Sequence, residues 1–176
     1  MTHSTILSEP LEYCHCTSLT SRIMHGNSEI SQTSNPLPEW TLQFYKQPGG
    51  QIPFELFRSS LRPAEMVVLD ICVEEILRRL GNNVCSSTWG KSLGAGLYEF
   101  RINRSLSALC NELQIQSPNF LKSDRLVLLR VFFAVEGSRI VVLLSGYDKG
   151  RSSSRKKQQG LIKAARKLLK QHKQGV

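Results

Sequence analysis

The chain has 176 residues, with 23 Lys and Arg against 14 Asp and Glu, a formal net charge of +9 and 40% hydrophobic residues. That length suits one domain with a sizeable core, or a smaller domain carrying a tail. No run of about 18 uncharged apolar residues is present, which excludes an apolar membrane-spanning helix, and no basic segment followed by a long apolar core suggests a signal peptide, so a soluble, cytoplasmic protein is expected.

Residues 1–39 carry Glu9, Glu12, Glu29 and Glu39 but only Arg22 as a base, are crowded with Ser, Thr and Asn, and have no sustained apolar periodicity. A disordered N-terminal tail is expected. Cys14, His15, Cys16 and His25 lie within it and lack the two ligand pairs on a turn scaffold that structural zinc requires, so no metal site is expected. Five cysteines, an odd number, argue for free thiols rather than a disulfide framework.

The folded part is expected over 40–174. Trp40 to Lys46, "WTLQFYK", alternates as a first strand and ends at Gln47-Pro48-Gly49-Gly50. Pro53 opens a short helix over 54–60. After Arg62-Pro63, Met66, Val67, Leu69, Cys72, Val73, Ile76, Leu77 and Leu80 recur at helical spacing until Gly81-Asn82-Asn83, giving a helical pair. Residues 84–96 read as a loop. "LYEFRI", 97–102, is a second strand with Tyr98, Phe100 and Ile102 on one face and Glu99 and Arg101 on the other.

Residues 104–124, broken by Ser117-Pro118-Asn119, read as an inserted loop. "LVLLRVFFAVEGSRIVVLLSGYDKGR", 126–151, gives two apolar runs around a Gly-containing turn, a hairpin apolar enough for the middle of a sheet. Ser152-Ser153-Ser154 offers N-cap hydroxyls for a last helix with Leu161, Ala164, Ala165, Leu168 and Leu169 as its apolar stripe. The expected class is α+β: an antiparallel or mixed sheet of about four strands, in the order β-α-α-β-β-β-α.

Charge is unevenly placed. From residue 121 onward there are 14 Lys and Arg against Asp124, Glu136 and Asp148, a net +11, which leaves −2 for the rest. A polyanionic partner contacted by this third, or a solvated basic helix, would each account for it. There is no Gly-rich phosphate loop, HExxH or paired-cysteine spacing, and the part expected to fold holds one histidine, His172.

"WTLQFYKQPGGQIPFELF", "KSLGAGLYEFRI" and "LLRVFFAVEGSRIVVLLSGYDKGRSSSRKKQQGLIKAARKLL", in that order and spacing, resemble the phage-derived branch of the RelE/HigB toxins of type II toxin–antitoxin systems, over residues 40 to about 172. The resemblance implies a compact α/β domain, with a helical hairpin on one side of the sheet and a basic C-terminal helix. Its implied activity is ribosome-dependent cleavage of mRNA without a metal or other cofactor, and its implied partners are the ribosome, mRNA and a small helix-turn-helix antitoxin.

Such cleavage needs a base for the attacking 2′-hydroxyl, positive charge on the phosphorane and an acid for the leaving oxygen. By the resemblance, Arg130 stabilises the scissile phosphate, Tyr147 stacks on a base or offers its phenol, and Lys149 and Arg101 complete the catalytic set. Lys91, Arg151, Arg155, Lys156 and Lys157 form the RNA-binding footprint. Beside these roles stand ordinary ones: an arginine inside an apolar strand must be paired, as with Glu99, or face solvent, and Tyr147 would cap a core edge. The competing class of function is a non-catalytic module that binds RNA or protein, a degenerate relative of the toxins. A DNA-binding antitoxin is disfavoured, since no helix-turn-helix pattern is found.

Overall fold

The computed structural model describes residues 39–116 and 125–175. The expected tail, with Cys14, His15, Cys16 and His25, lies outside these residues except for Glu39, as do 117–124 of the expected inserted loop.

The class is α+β. Five strands form one sheet: β1 (Thr41–Phe44), β2 (Gly90–Gly94), β3 (Leu97–Arg104), β4 (Val127–Glu136) and β5 (Ile140–Asp148), in the order β1-β5-β4-β3-β2. β1 runs parallel to β5 and every other pairing is antiparallel, so the sheet is mixed. β4 is central and β4 and β5 pair as the expected hairpin, with Gly137 at φ +53° in the turn. A central strand has no solvent face, which is why Val127–Val135 is almost unbroken apolar sequence.

The strand count exceeds the expected four because Gly90–Gly94 pairs with β3 as an edge strand. Its two-residue turn places Ala95 and Gly96 at φ +54° and +79°, the geometry that matches strand twist. Three glycines made that segment read as loop.

One face of the sheet carries α1 (Pro53–Ser59) and α2 (Pro63–Cys72), the expected helical pair, joined by a bidentate ion pair from Arg58 to Asp70 at 2.6 and 2.8 Å. Glu65 closes the start of α2, its carboxylate accepting from Arg62 N at 3.0 Å and from the Arg62 guanidinium at 2.6 and 3.0 Å. α2 continues through a π-helical turn, Val73–Leu77, into a last turn, α3 (Arg78–Leu80). The sequence explains the π turn. Buried residues fall at Val68 and Leu69, Cys72 and Val73, Ile76 and Leu77, a repeat of four. On an ideal α-helix such a stripe drifts by about 40° per repeat, and a wider turn brings it back onto the sheet.

Gly81 then ends the helix at φ +53°. Trp40 lies so close above it that an added Cβ would stand 2.1 Å from the indole. Gly146 gives a second close approach: a Cβ there would meet the Phe57 ring of α1 at 2.2 Å.

Within the expected loop 104–124, Leu106–Leu113 is a helix, α4. Ser105 caps it by accepting from Ala108 N, Leu106, Leu109 and Cys110 are buried, and Gln114 ends it in the left-handed region. The observed order of main elements is therefore β-α-α-β-β-α-β-β-α. The other face of the sheet is covered by α5 (Arg155–Lys173), capped as expected by a serine, Ser154, which accepts from Lys157 N at 3.2 Å. Its Ala165 and Leu169 pack with Leu97, Phe132, Ala134, Val142, Leu144 and Tyr147 in a second core. Among the described residues no helix is long and apolar enough to cross a membrane.

Candidate functional site

Strand alternation puts residues 97, 99 and 101 of β3 on the α5 side of the sheet, and the register aligns Arg101 with Arg130 and Arg130 with Tyr147. Three residues from three adjacent strands thus form one cross-strand row. Neighbours in such a row stand about 5 Å apart at Cβ, so two guanidinium-bearing side chains are neighbours on an otherwise apolar face. Lys149 follows two residues after Tyr147, its amide still donating to Leu128 O at 2.8 Å. Of the four residues expected to be catalytic, Arg101, Arg130 and Tyr147 thus share one face, and Lys149 lies in the turn just past the end of β5.

Glu99 holds the row together. Only 5% exposed, it accepts from Arg101 Nε at 2.8 Å on one oxygen and from the Tyr147 hydroxyl at 3.3 Å on the other. Arg130 is 8% exposed and takes neither of the expected alternatives, a carboxylate partner or open solvent. Its Nη1 donates to the carbonyls of Leu129, at 2.7 Å, and Ile102, at 3.1 Å. Burial lowers its pKa, a shift that the nearby Glu99 and Tyr147 oppose. A guanidinium nevertheless stays charged, so the row carries fixed positive charge in a poorly solvated place.

Tyr147 is 6% exposed and its ring stacks on Phe132, with centroids 5.6 Å apart. Burial, with the Glu99 charge beside it, pushes the phenol up to about 12. It therefore remains a proton donor at neutral pH and is unsuited to act as a base. The ring is packed, not offered for stacking on a nucleobase.

Lys91 is exposed on β2 directly opposite Glu99, which places it at the edge of the same face. Arg155, Lys156 and Lys157 form the exposed first turn of α5 and pair with no carboxylate among the described residues. Arg151 is placed differently. It pairs with Asp148 at 3.0 Å and Glu65 at 3.2 Å, and lines a polar cavity of about 230 Å³ with Arg62 and Arg125. Though exposed, its guanidinium is shared between two carboxylates.

Sequence reasoning assigned Glu99 to the polar face but gave it no part in the site. The signal was an acid inside an apolar strand, two residues from Arg101. His172, the only histidine among the described residues, faces Glu136 at 2.7 Å. Glu136 lies six residues along β4 from Arg130, about 20 Å away, so His172 is out of reach of the row. Cys72 is fully buried and burial pushes its thiol well above the ordinary range, which makes it a packing residue and not a nucleophile.

No family model and no curated protein matches this chain.

Proposed function

We propose that the chain is a ribosome-dependent, metal-independent endoribonuclease of the RelE/HigB toxin type, cutting mRNA by attack of a 2′-hydroxyl on the adjacent phosphate. The observation that carries this reading is the cross-strand row of Arg101, Arg130 and Tyr147 around Glu99. A phosphorane gains charge as it forms, and preset guanidinium groups in a poorly solvated site stabilise that charge with little reorganisation. Arg130 stabilises the phosphorane, with Arg101 and Lys149 beside it; as the O2′–P bond forms the 2′-hydroxyl proton passes to water, and as the P–O5′ bond breaks Tyr147 donates a proton to the leaving 5′-oxygen. Glu99 is a positioning residue for Arg101 and Tyr147.

Lys91 and the first turn of α5 supply weak, additive contacts to ribosomal RNA, and Arg151 contributes less than its charge suggests. The protein's inhibitor on this reading is a small helix-turn-helix antitoxin that covers the basic face. The likeness of "GLYEFRI", "LRVFFAVEG" and "SGYDKG" to the toxin family is the other support.

A second reading, a non-catalytic module that binds RNA or protein, is favoured by one observation: Arg130 and Tyr147 are only 8% and 6% exposed, so substrate must open the row to touch them. Primer extension on an mRNA incubated with the purified protein and EDTA, with and without translating ribosomes, separates the two. Cuts in codon register that need ribosomes and vanish in Arg130→Ala are expected. Ribosome binding without cuts, from folded protein, would transfer the assignment to the binding module.

A further inference from the structure

A cavity of about 300 Å³ opens between the β2–β3 turn and the C-terminal half of α5, and none of the row residues lines it. Ala95, Leu97 and Leu169 form its apolar part, with Leu97 and Leu169 at 0% and 5% exposure, while the exposed Arg166, Lys170 and Lys173 surround them. Arg166 is fixed by donating to Leu93 O at 2.7 Å. Lys173 reaches over the turn, where a Cβ on Gly96 would stand 3.3 Å from its Nζ.

The three cations are spaced i, i+4 and i+7, along about 10 Å of one side of α5. Like charges at that spacing repel, yet among the described residues no carboxylate pairs with any of them. An apolar cavity ringed by unpaired cations is complementary to a molecule with one apolar end and one anionic end. Its volume is at the low end for small-molecule sites and suits a single unbranched chain better than a folded partner.

We propose that this cavity binds a free single-chain carboxylate of the fatty-acid type, its head between Lys170 and Lys173 and its tail over Ala95, Leu97 and Leu169. The inference does not depend on the ribonuclease reading.

The test is calorimetric titration of the full chain with hexanoate, octanoate and decanoate below their micelle concentrations. Decyltrimethylammonium and hexaglutamate serve as competitors. Affinity is expected to rise roughly two- to fourfold per added methylene until the cavity is filled and then level off. Neither competitor should displace decanoate. The double variant Lys170→Glu/Lys173→Glu should weaken decanoate at least tenfold with an unchanged circular dichroism spectrum, and Lys170→Arg/Lys173→Arg should retain it.

Affinity independent of chain length, with displacement by hexaglutamate, would overturn the proposal in favour of an acidic-peptide surface. Undiminished decanoate binding by a folded charge-reversed variant would place the ligand elsewhere, and no binding at all would remove it. The chain-length series on the unaltered protein decides the matter even if the charge-reversed variant does not fold.

Discussion

Glu99 is the single carboxylate hydrogen-bonded within the row, so its removal leaves Arg101 without its partner and Arg130 without the nearby negative charge that opposes its desolvation. Glu99→Ala and Arg101→Ala should each cost about 1–3 kcal/mol of stability, measured by urea unfolding, the first because Arg130 loses its nearby negative charge and the second because the buried Glu99 carboxylate loses its cation. The double variant should be more stable than the two separate losses imply, since deleting both ends removes the unpaired charge. Additive losses would mean that the 2.8 Å contact carries no coupling. Tyr147 offers an independent check. With its phenol raised to about 12 against an ordinary 10, the folded protein favours the neutral form, so this contribution is intact below pH 10 and is lost as pH rises toward 12. Ultraviolet titration of tyrosinate, compared with Tyr147→Phe, should show one late-titrating tyrosine disappear in the variant. At this scale the sequence displayed a good part of the site: alternation alone put Glu99 and Arg101 on one face, opposite Tyr98, Phe100 and Ile102. That Arg130 would give its protons to the carbonyls of Leu129 and Ile102 was not legible, because it depends on how β3 and β4 register against each other.

Longer elements announced themselves where one physical demand dominated. The β4–β5 hairpin needed apolar residues on both faces, and α5 needed one apolar stripe and a serine cap. The stripe from Val68 to Leu77 read as ordinary helical spacing, which shows that a helix is present but does not distinguish the π turn that the structure places at Val73–Leu77. β2 and α4 were obscured because their stability is borrowed: β2 pairs with β3 in spite of its glycines, and α4 is short, with a Ser-Pro pair following soon after it in the sequence. The stop at Gly81 gives an element-scale test. Gly81→Ala combines a positive φ with a Cβ 2.1 Å from Trp40, so a loss of at least about 2 kcal/mol is expected, with a changed tryptophan emission as the indole is displaced. An unchanged unfolding midpoint would mean that Trp40 does not pack on the helix end. A different test applies to the first turn of α5, where Arg155, Lys156 and Lys157 stand at the positive end of the helix with no acid among them. Cations there are unfavourable, by about 0.3–1 kcal/mol each. Lys156→Glu should therefore raise the unfolding midpoint while weakening binding to RNA. A variant that lost both stability and binding would show that this turn is held by contacts of its own rather than kept for an anion.

Over the whole molecule, composition revealed that the C-terminal third is strongly basic but not which charges are available to a partner. The structure separates them. Arg151 is shared between Asp148 and Glu65, whereas Arg155, Lys156 and Lys157 at the start of α5, like Arg166, Lys170 and Lys173 further along it, stand exposed without carboxylate partners among the described residues. Binding to a single-stranded polyanion should follow this division rather than net charge. Each phosphate contact contributes about −0.7 to the slope of log affinity against log salt concentration. Replacing Arg155, Lys156 and Lys157 together with Gln should therefore flatten the slope for a single-stranded RNA by about 2, if all three reach phosphates. Arg151→Gln removes one charge from the same segment but should change that slope by less than about 0.3, while lowering stability through the loss of its contacts to Asp148 and Glu65. Fluorescence anisotropy across a salt series measures both variants alike. Equal flattening per charge removed would mean that the molecule acts as a diffuse positive cloud, with no patch set by the fold. Flattening confined to the α5 turn would place the polyanion along the start of that helix, at the sheet end where β5 delivers Tyr147 and Lys149.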